Sequence, residues 1–138
     1  MAVLPSVDKP REMDLLVGFI DLQRFHSFAT GQPDREIAEM LSDYYELIVD
    51  AIEGSRGEVV KFMGDAALTV HEEADVDLGV IALHDLKRGG DQWLSDRGVN
   101  CTQTVKVHFG RVIATRVGTR TDKRGDIFGD VVATAVVM

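Results

Sequence analysis

Asp21 follows six residues without a charge, Leu15-Leu16-Val17-Gly18-Phe19-Ile20. A short run that is apolar and partly β-branched or aromatic reads as a strand buried on both faces. A carboxylate at its end is costly unless it is paired, hydrogen-bonded or bound to a cation. Asp65 sits in a tight turn, Met63-Gly64-Asp65, between two strand patterns at residues 58–62 and 67–70. When the first strand and this hairpin are neighbours in one sheet, the two carboxylates share one sheet edge. Such hard oxygen ligands suit Mg²⁺ or Mn²⁺, which take one or two carboxylates plus substrate phosphates. Two plainer roles stay open: Gly-Asp is ordinary turn chemistry, and Asp21 can cap a helix that starts after it.

Gln23, Arg24, Phe25, His26 and Ser27 follow Asp21 and Leu22. They can form a loop into a short helix, with backbone N–H groups aimed at an anion. No glycine cluster strengthens that signal. Lys61 lies mid-strand, four residues before Asp65, and a solvated lysine is the simpler account of it. His26, His71, His84 and His108 are scattered without metal-ligand spacing and read as surface or partly buried. No Ser-His-Asp or Cys-His pattern stands out, and the Tyr44-Tyr45 pair reads as helix packing.

The elements that position these residues are legible in outline. Residues 1–13 are polar, hold Pro5 and Pro10, and read as a leader arm before a domain over 14–138. Gly31-Gln32-Pro33-Asp34 opens a helix, with Pro33 near its first turn. Ile37, Leu41, Tyr44, Ile48 and Ala51 then recur at helical spacing up to Gly54. A second helix starts near Asp75 and is expected to weaken or end at Gly89-Gly90. Residues 104–109 and 112–117 read as a strand pair turning at Gly110-Arg111. A polar tip follows over 118–125, then a short helix after Gly129. The order β-α-β-β-α-β plus one strand predicts an α+β fold, a ferredoxin-like antiparallel sheet with two helices on one face.

Composition narrows the classes. The 138 residues are 45% hydrophobic, enough for a packed core in a single domain. The net charge of −8 argues against a nucleic-acid surface. Within it, residues 111–124 carry Arg111, Arg116, Arg120, Lys123 and Arg124 against Asp122, a local net of +4. Such a basic patch can steer a triphosphate, meet the acidic body of a second chain, or be a solvated tip. Cys101 is the single cysteine, so neither an internal disulfide nor a cysteine zinc site can form. Pro5 and Asp8 interrupt any signal-peptide core. No stretch approaches the roughly 18–20 apolar residues that span a bilayer. A soluble, cytoplasmic domain without a membrane segment is the expectation.

Three blocks taken together resemble the class III adenylate/guanylate cyclase catalytic domain. The first is Phe19-Ile20-Asp21-Leu22-Gln23-Arg24-Phe25. The second is Gly57-Glu58-Val59-Val60-Lys61-Phe62-Met63-Gly64-Asp65. The third runs from Val107-His108-Phe109-Gly110-Arg111-Val112 through Gly118-Thr119-Arg120 to Asp126-Ile127-Phe128-Gly129-Asp130-Val131-Val132. The resemblance implies a nucleoside triphosphate bound between two chains, with the 3′-hydroxyl attacking the α-phosphate and pyrophosphate leaving. It implies two ions, Mg²⁺ or Mn²⁺, held by Asp21 and Asp65 with the backbone carbonyl of Leu22. One ion lowers the pKa of the 3′-hydroxyl and the other holds the leaving phosphates. The amides from Gln23 to Ser27 meet the phosphates. Lys61 and Asp126 match the family's purine-reading pair. A lysine donor suits adenine's ring nitrogen and a carboxylate accepts from its exocyclic amine, so ATP is expected over GTP.

The chain departs from the family where it usually continues Gly-x-x-Val-Asn-x-Ala-x-Arg. The Asn orients the ribose and the Arg stabilises charge on the α-phosphate; Ala133 and Val137 stand in their places. Losing such a donor or cation typically costs on the order of 10²–10⁵ in rate. The family domain also runs some tens of residues past the position of Met138, including a phosphate-binding lysine. The expected activity is conversion of ATP to 3′,5′-cyclic AMP and pyrophosphate in intracellular signalling, by a homodimer or by a heterodimer with an intact cyclase chain. The competing reading is a degenerate cyclase serving as a dimerisation or nucleotide-binding regulatory module.

Overall fold

The computed structural model describes residues 9–137. Its elements in order are β1 (Arg11–Gln23), α1 (Phe25–Thr30), α2 (Asp34–Gly54), β2 (Glu58–Met63), β3 (Ala66–Glu72), a single 3₁₀ turn (Glu73–Asp75), α3 (Val76–Asp96), β4 (Thr102–Gly118), β5 (Lys123–Phe128) and α4 (Asp130–Val137). The five strands form one antiparallel sheet in the order β2-β3-β1-β4-β5. The α+β, ferredoxin-like expectation is therefore met.

β1 is the central strand, and both its faces are covered. Leu16, Ile20 and Leu22 point to the side that carries α2 and α3. There they meet Met40, Tyr44, Ile48 and Ile52, spaced four apart on α2, and Leu83, Leu86 and Leu94 of α3. Leu15, Val17 and Phe19 point the other way, onto Leu68, Val70, Val112, Ala114, Ile127 and Ala135 of α4. Period-two alternation on a strand sandwiched between two apolar layers explains why Leu15 to Ile20 contains nothing polar.

Several boundaries differ from those read in the sequence. β1 starts at Arg11, so its first three residues fall within the stretch taken as a leader arm; residues 1–8 of that arm lie outside the described residues. Gly110-Arg111 is not a turn. β4 passes straight through it for 17 residues, and Asp14 of β1 pairs with Arg111. Gly110 is there for space: a Cβ on it would stand 2.5 Å from Val131 Cγ2 of α4. The real hairpin joins β4 to β5, closed where the Thr119 amide donates to the Asp122 carbonyl at 3.0 Å. Nor does α3 end at Gly89-Gly90; it continues to Asp96. A Cβ on Gly90 would stand 2.2 Å from Gln103 Nε2, so the helix uses a glycine to seat that buried amide.

His71 corrects the reading of the histidines as surface or partly buried, being 1% exposed. Its Nε2 lies 2.9 Å from Ser55 Oγ. That hydroxyl sits 2.9–3.0 Å from the Ala51 and Ile52 carbonyls at the end of α2. The ring Nδ1 is buried without a hydrogen-bond partner among the described residues. Burial holds its pKa below the ordinary imidazole value, against an opposing pull from Asp75.

β2 carries a bulge. Val59 pairs with Thr69 and Lys61 with Leu68, leaving Val60 as the extra residue. The bulge re-aims the residues that follow it.

Candidate functional site

β1 outruns its pairing with β3. The last registered pair is Ile20 with Ala67, whereas Asp21, Leu22 and Gln23 pair only with Thr104, Gln103 and Thr102 of β4. One side of the β1 backbone is therefore open at Asp21 and Leu22. The β2–β3 turn that carries Asp65 begins just beyond Ala66 on that same side. Register alone thus brings the two carboxylates to one corner of the sheet.

The electrostatics of that corner are acidic. Tyr44, on the buried face of α2, has its phenol pushed well above the ordinary range, first by burial and then by Asp91, Asp21 and Asp65. Its hydroxyl donates to Gln103 Oε1 at 2.8 Å, and Gln103 Nε2 donates to the Leu86 carbonyl at 2.9 Å. Asp21 Oδ1 is buried and has no hydrogen-bond partner among the described residues. A desolvated carboxylate oxygen without a donor is costly unless a cation reaches it. No cluster of three or more His, Cys, Asp or Glu side chains able to hold a metal occurs among the described residues. Two carboxylates and an open stretch of backbone fit an ion that completes its shell with phosphate oxygens and water, as Mg²⁺ and Mn²⁺ do. They do not fit a closed protein cage.

The residues after Asp21 divide between three settings. Gln23 belongs to the strand, its Nε2 donating to Thr104 Oγ1 at 2.5 Å. Arg24 makes the bend in left-handed backbone at φ 61°. Phe25, His26 and Ser27 form the first turn of α1, which has no side-chain cap. The first amides of any helix lack an intrahelical acceptor, so they can serve an anion. The rings of Phe25 and Phe28 pack onto the core beneath.

Lys61 and Asp126 come together. Lys61 Nζ donates to Asp126 Oδ2 at 2.9 Å, while Asp126 Oδ1 accepts from the Ile127 amide at 2.8 Å. They line a cleft of about 760 Å³ with Val49 and Glu53 of α2, Phe62 of β2, and Thr119 and Arg124 of the β4–β5 hairpin. Neither Asp21 nor Asp65 lines this cleft. Ala133 and Val137, one helical turn apart on α4, are both exposed, Val137 to 79%. The sequence reads Tyr45 only as helix packing and does not show what its hydroxyl touches. Its hydroxyl donates to the Gly64 carbonyl and its ring stacks on Phe62 with centroids 3.9 Å apart. The one available signal was its place a single residue off the buried stripe of α2. Arg111, counted with the basic tip, instead sits mid-strand against Asp14 and Glu12 at 3.2 and 3.3 Å.

This sheet, with two helices on one face and α4 on the other, is the architecture of solved nucleotide cyclase domains. A bacterial light-regulated adenylyl cyclase superposes with a TM-score of 0.85 at 20% identity, over 96% of this chain and 41% of that one. Residues 7–138 match the family model for the adenylate and guanylate cyclase catalytic domain, and the chain belongs to that family. An uncharacterized protein of Mycobacterium tuberculosis is 28% identical over 128 residues, 90% of this chain and 23% of that protein. An adenylate cyclase of Anabaena cylindrica is 24% identical over 133 residues, 91% of this chain and 26% of that protein. The chain spans about a quarter of the length of these curated relatives. No helix among the described residues is long and apolar enough to cross a membrane.

Proposed function

We propose that this domain binds ATP with Mg²⁺ or Mn²⁺ and converts it to 3′,5′-cyclic AMP and pyrophosphate at an interface between two chains, with weak turnover when it pairs with itself. The observation that carries the reading is Asp21, a half-buried residue whose Oδ1 is buried without a hydrogen-bond partner among the described residues, beside the turn that bears Asp65.

Asp21, Asp65 and the Leu22 carbonyl hold the ions. Bound there, a divalent ion supplies Lewis acidity, lowering the pKa of the 3′-hydroxyl and neutralising the phosphates that leave. The first amides of α1 and the bend at Arg24 receive phosphate oxygens. Lys61 and Asp126 read the purine edge. In the free domain they satisfy each other, and adenine takes over both interactions when it enters. Asp21 and Asp65 do not line the cleft that Lys61 and Asp126 share, which is compatible with a site assembled from two chains. Ala133 and Val137 lack a side-chain donor or cation, so a self-paired domain positions the ribose and the α-phosphate poorly. Pairing with an intact cyclase chain remedies this at the site that uses Asp21 and Asp65 of this chain and the Asn and Arg of the other.

The test is cyclic AMP formation from ATP with Mn²⁺. The natural chain is expected to give slow turnover that Asp21→Ala removes. Equal product from the natural chain and Asp21→Ala would sink the reading.

A further inference from the structure

We propose that Tyr45 is a positioning residue for the metal carboxylate Asp65, acting through the peptide bond that joins Gly64 to Asp65. The inference rests on the reading of Asp65 as a metal ligand.

The β2–β3 hairpin turns on two residues, Gly64 and Asp65, between the paired Met63 and Ala66. Gly64 has φ +64°, while Asp65 is not among the residues with positive φ. Positive φ at the first central position alone is the pattern of a type II′ turn. Types II′ and I′ differ chiefly by a flip of the peptide between the two central residues. Here that unit is the Gly64 carbonyl with the Asp65 amide. The peptide is planar, so its orientation sets the direction in which the Asp65 side chain leaves the turn.

The Tyr45 hydroxyl donates to that carbonyl. The phenol is itself anchored, because its ring stacks on Phe62, two residues ahead of Gly64, at 3.9 Å and 15° between planes. One α2 side chain therefore holds the hairpin at two points, and one of them is the unit whose flip would re-aim Asp65. Tyr45 does not line the buried core stripe of Met40, Tyr44, Ile48 and Ile52, so packing alone does not account for its hydroxyl. Ion sites tolerate little misplacement of a ligand, since Mg²⁺ demands near-octahedral geometry. A group that selects one turn conformer raises the fraction of chains ready to bind.

The test uses Mn²⁺ alone, titrated into the intact chain with free Mn²⁺ read by electron paramagnetic resonance. Tyr45→Phe keeps the ring and its stack and removes the hydroxyl. Its Mn²⁺ affinity is expected to fall about three- to tenfold, the range of one net hydrogen bond. The Asp65 amide should show exchange broadening in nitrogen-15 spectra, confined to residues 64–66 and quenched by saturating Mn²⁺. Affinity equal to the natural chain's, with an unbroadened Asp65 amide, overturns the role of Tyr45 while leaving the metal site standing. Mn²⁺ binding that survives Asp65→Asn removes the site itself, and the role of Tyr45 with it. In the metal-free natural chain, the Asp65 amide should show no exchange broadening; broadening there counts against the proposal even if Tyr45→Phe folds poorly.

Discussion

Lys61 and Asp126 stand on strands at opposite edges of the sheet, and their side chains meet at 2.9 Å. The sheet curls enough to bring β2 against β5, and one ion pair spans the gap. Asp126 keeps 13% of its side-chain surface exposed and Lys61 43%. The pair is therefore enclosed at its acidic end and open at its basic end, and on the proposed reading a purine displaces the ammonium without rebuilding the strands. Lys61→Met should raise the KM for ATP about tenfold or more, as loss of a hydrogen bond to a charged group does. It should erode preference for ATP over GTP, measured as the ratio of kcat/KM values.

Asp21→Asn should separate stability from activity. The substitution keeps the shape and removes a charge whose Oδ1 is buried without a donor. The melting temperature of the metal-free chain is expected to rise or hold, because a carboxylate oxygen buried without a donor is unfavourable. Cyclic AMP formation should fall by on the order of 10² or more. A drop in both would mean that Asp21 holds the strand end together.

Ala133→Asn with Val137→Arg should raise turnover on the order of 10² at little structural cost, since both positions are exposed on α4. A mixing experiment sharpens this. A chain with Asp21→Ala, Ala133→Asn and Val137→Arg cannot build its own metal site. Mixed with the natural chain, it should yield more product than either alone, because one of the two shared sites is then complete.

His71 predicts an acid limit. Its folded pKa lies below the unfolded value of about 6.5. The folded state therefore resists a proton that the unfolded chain accepts. Stability is full above about pH 6.5 and is lost as pH falls from there toward the lowered folded pKa. Around the ring stand Ser55 at the end of α2, Gly57 at the start of β2, Gly79 on α3, and Asp75, which pulls the other way. The urea midpoint should drop between pH 7 and 5.5, and His71→Gln should flatten that dependence.

The sequence carried the order of element types and the strand end at Asp21, beside the turn that bears Asp65, because a strand buried on both faces admits no charge before its end. It misplaced the second hairpin for a physical reason. Gly110-Arg111 looks like a turn, yet that glycine makes room for Val131 and that arginine pairs across to Asp14. β5 was hidden because Lys123, Arg124 and Asp126 mark an edge strand with little apolar signature. Gly90 was taken for a helix end because a glycine that seats a buried Gln103 has no local sign. Tyr45 shows the same limit: its partner lies 19 residues away, at a backbone oxygen that every residue has.

The bulge at Val60 bears on how two such chains can meet. An edge strand offers unpaired amides and carbonyls to any passing strand. β2 interrupts that template with an extra residue and places Lys61 just after it. β5, the other edge, opens with Lys123-Arg124. Both rims of the sheet therefore discourage strand addition. If two copies pair as proposed, they would do so through side chains rather than by fusing into a continuous sheet.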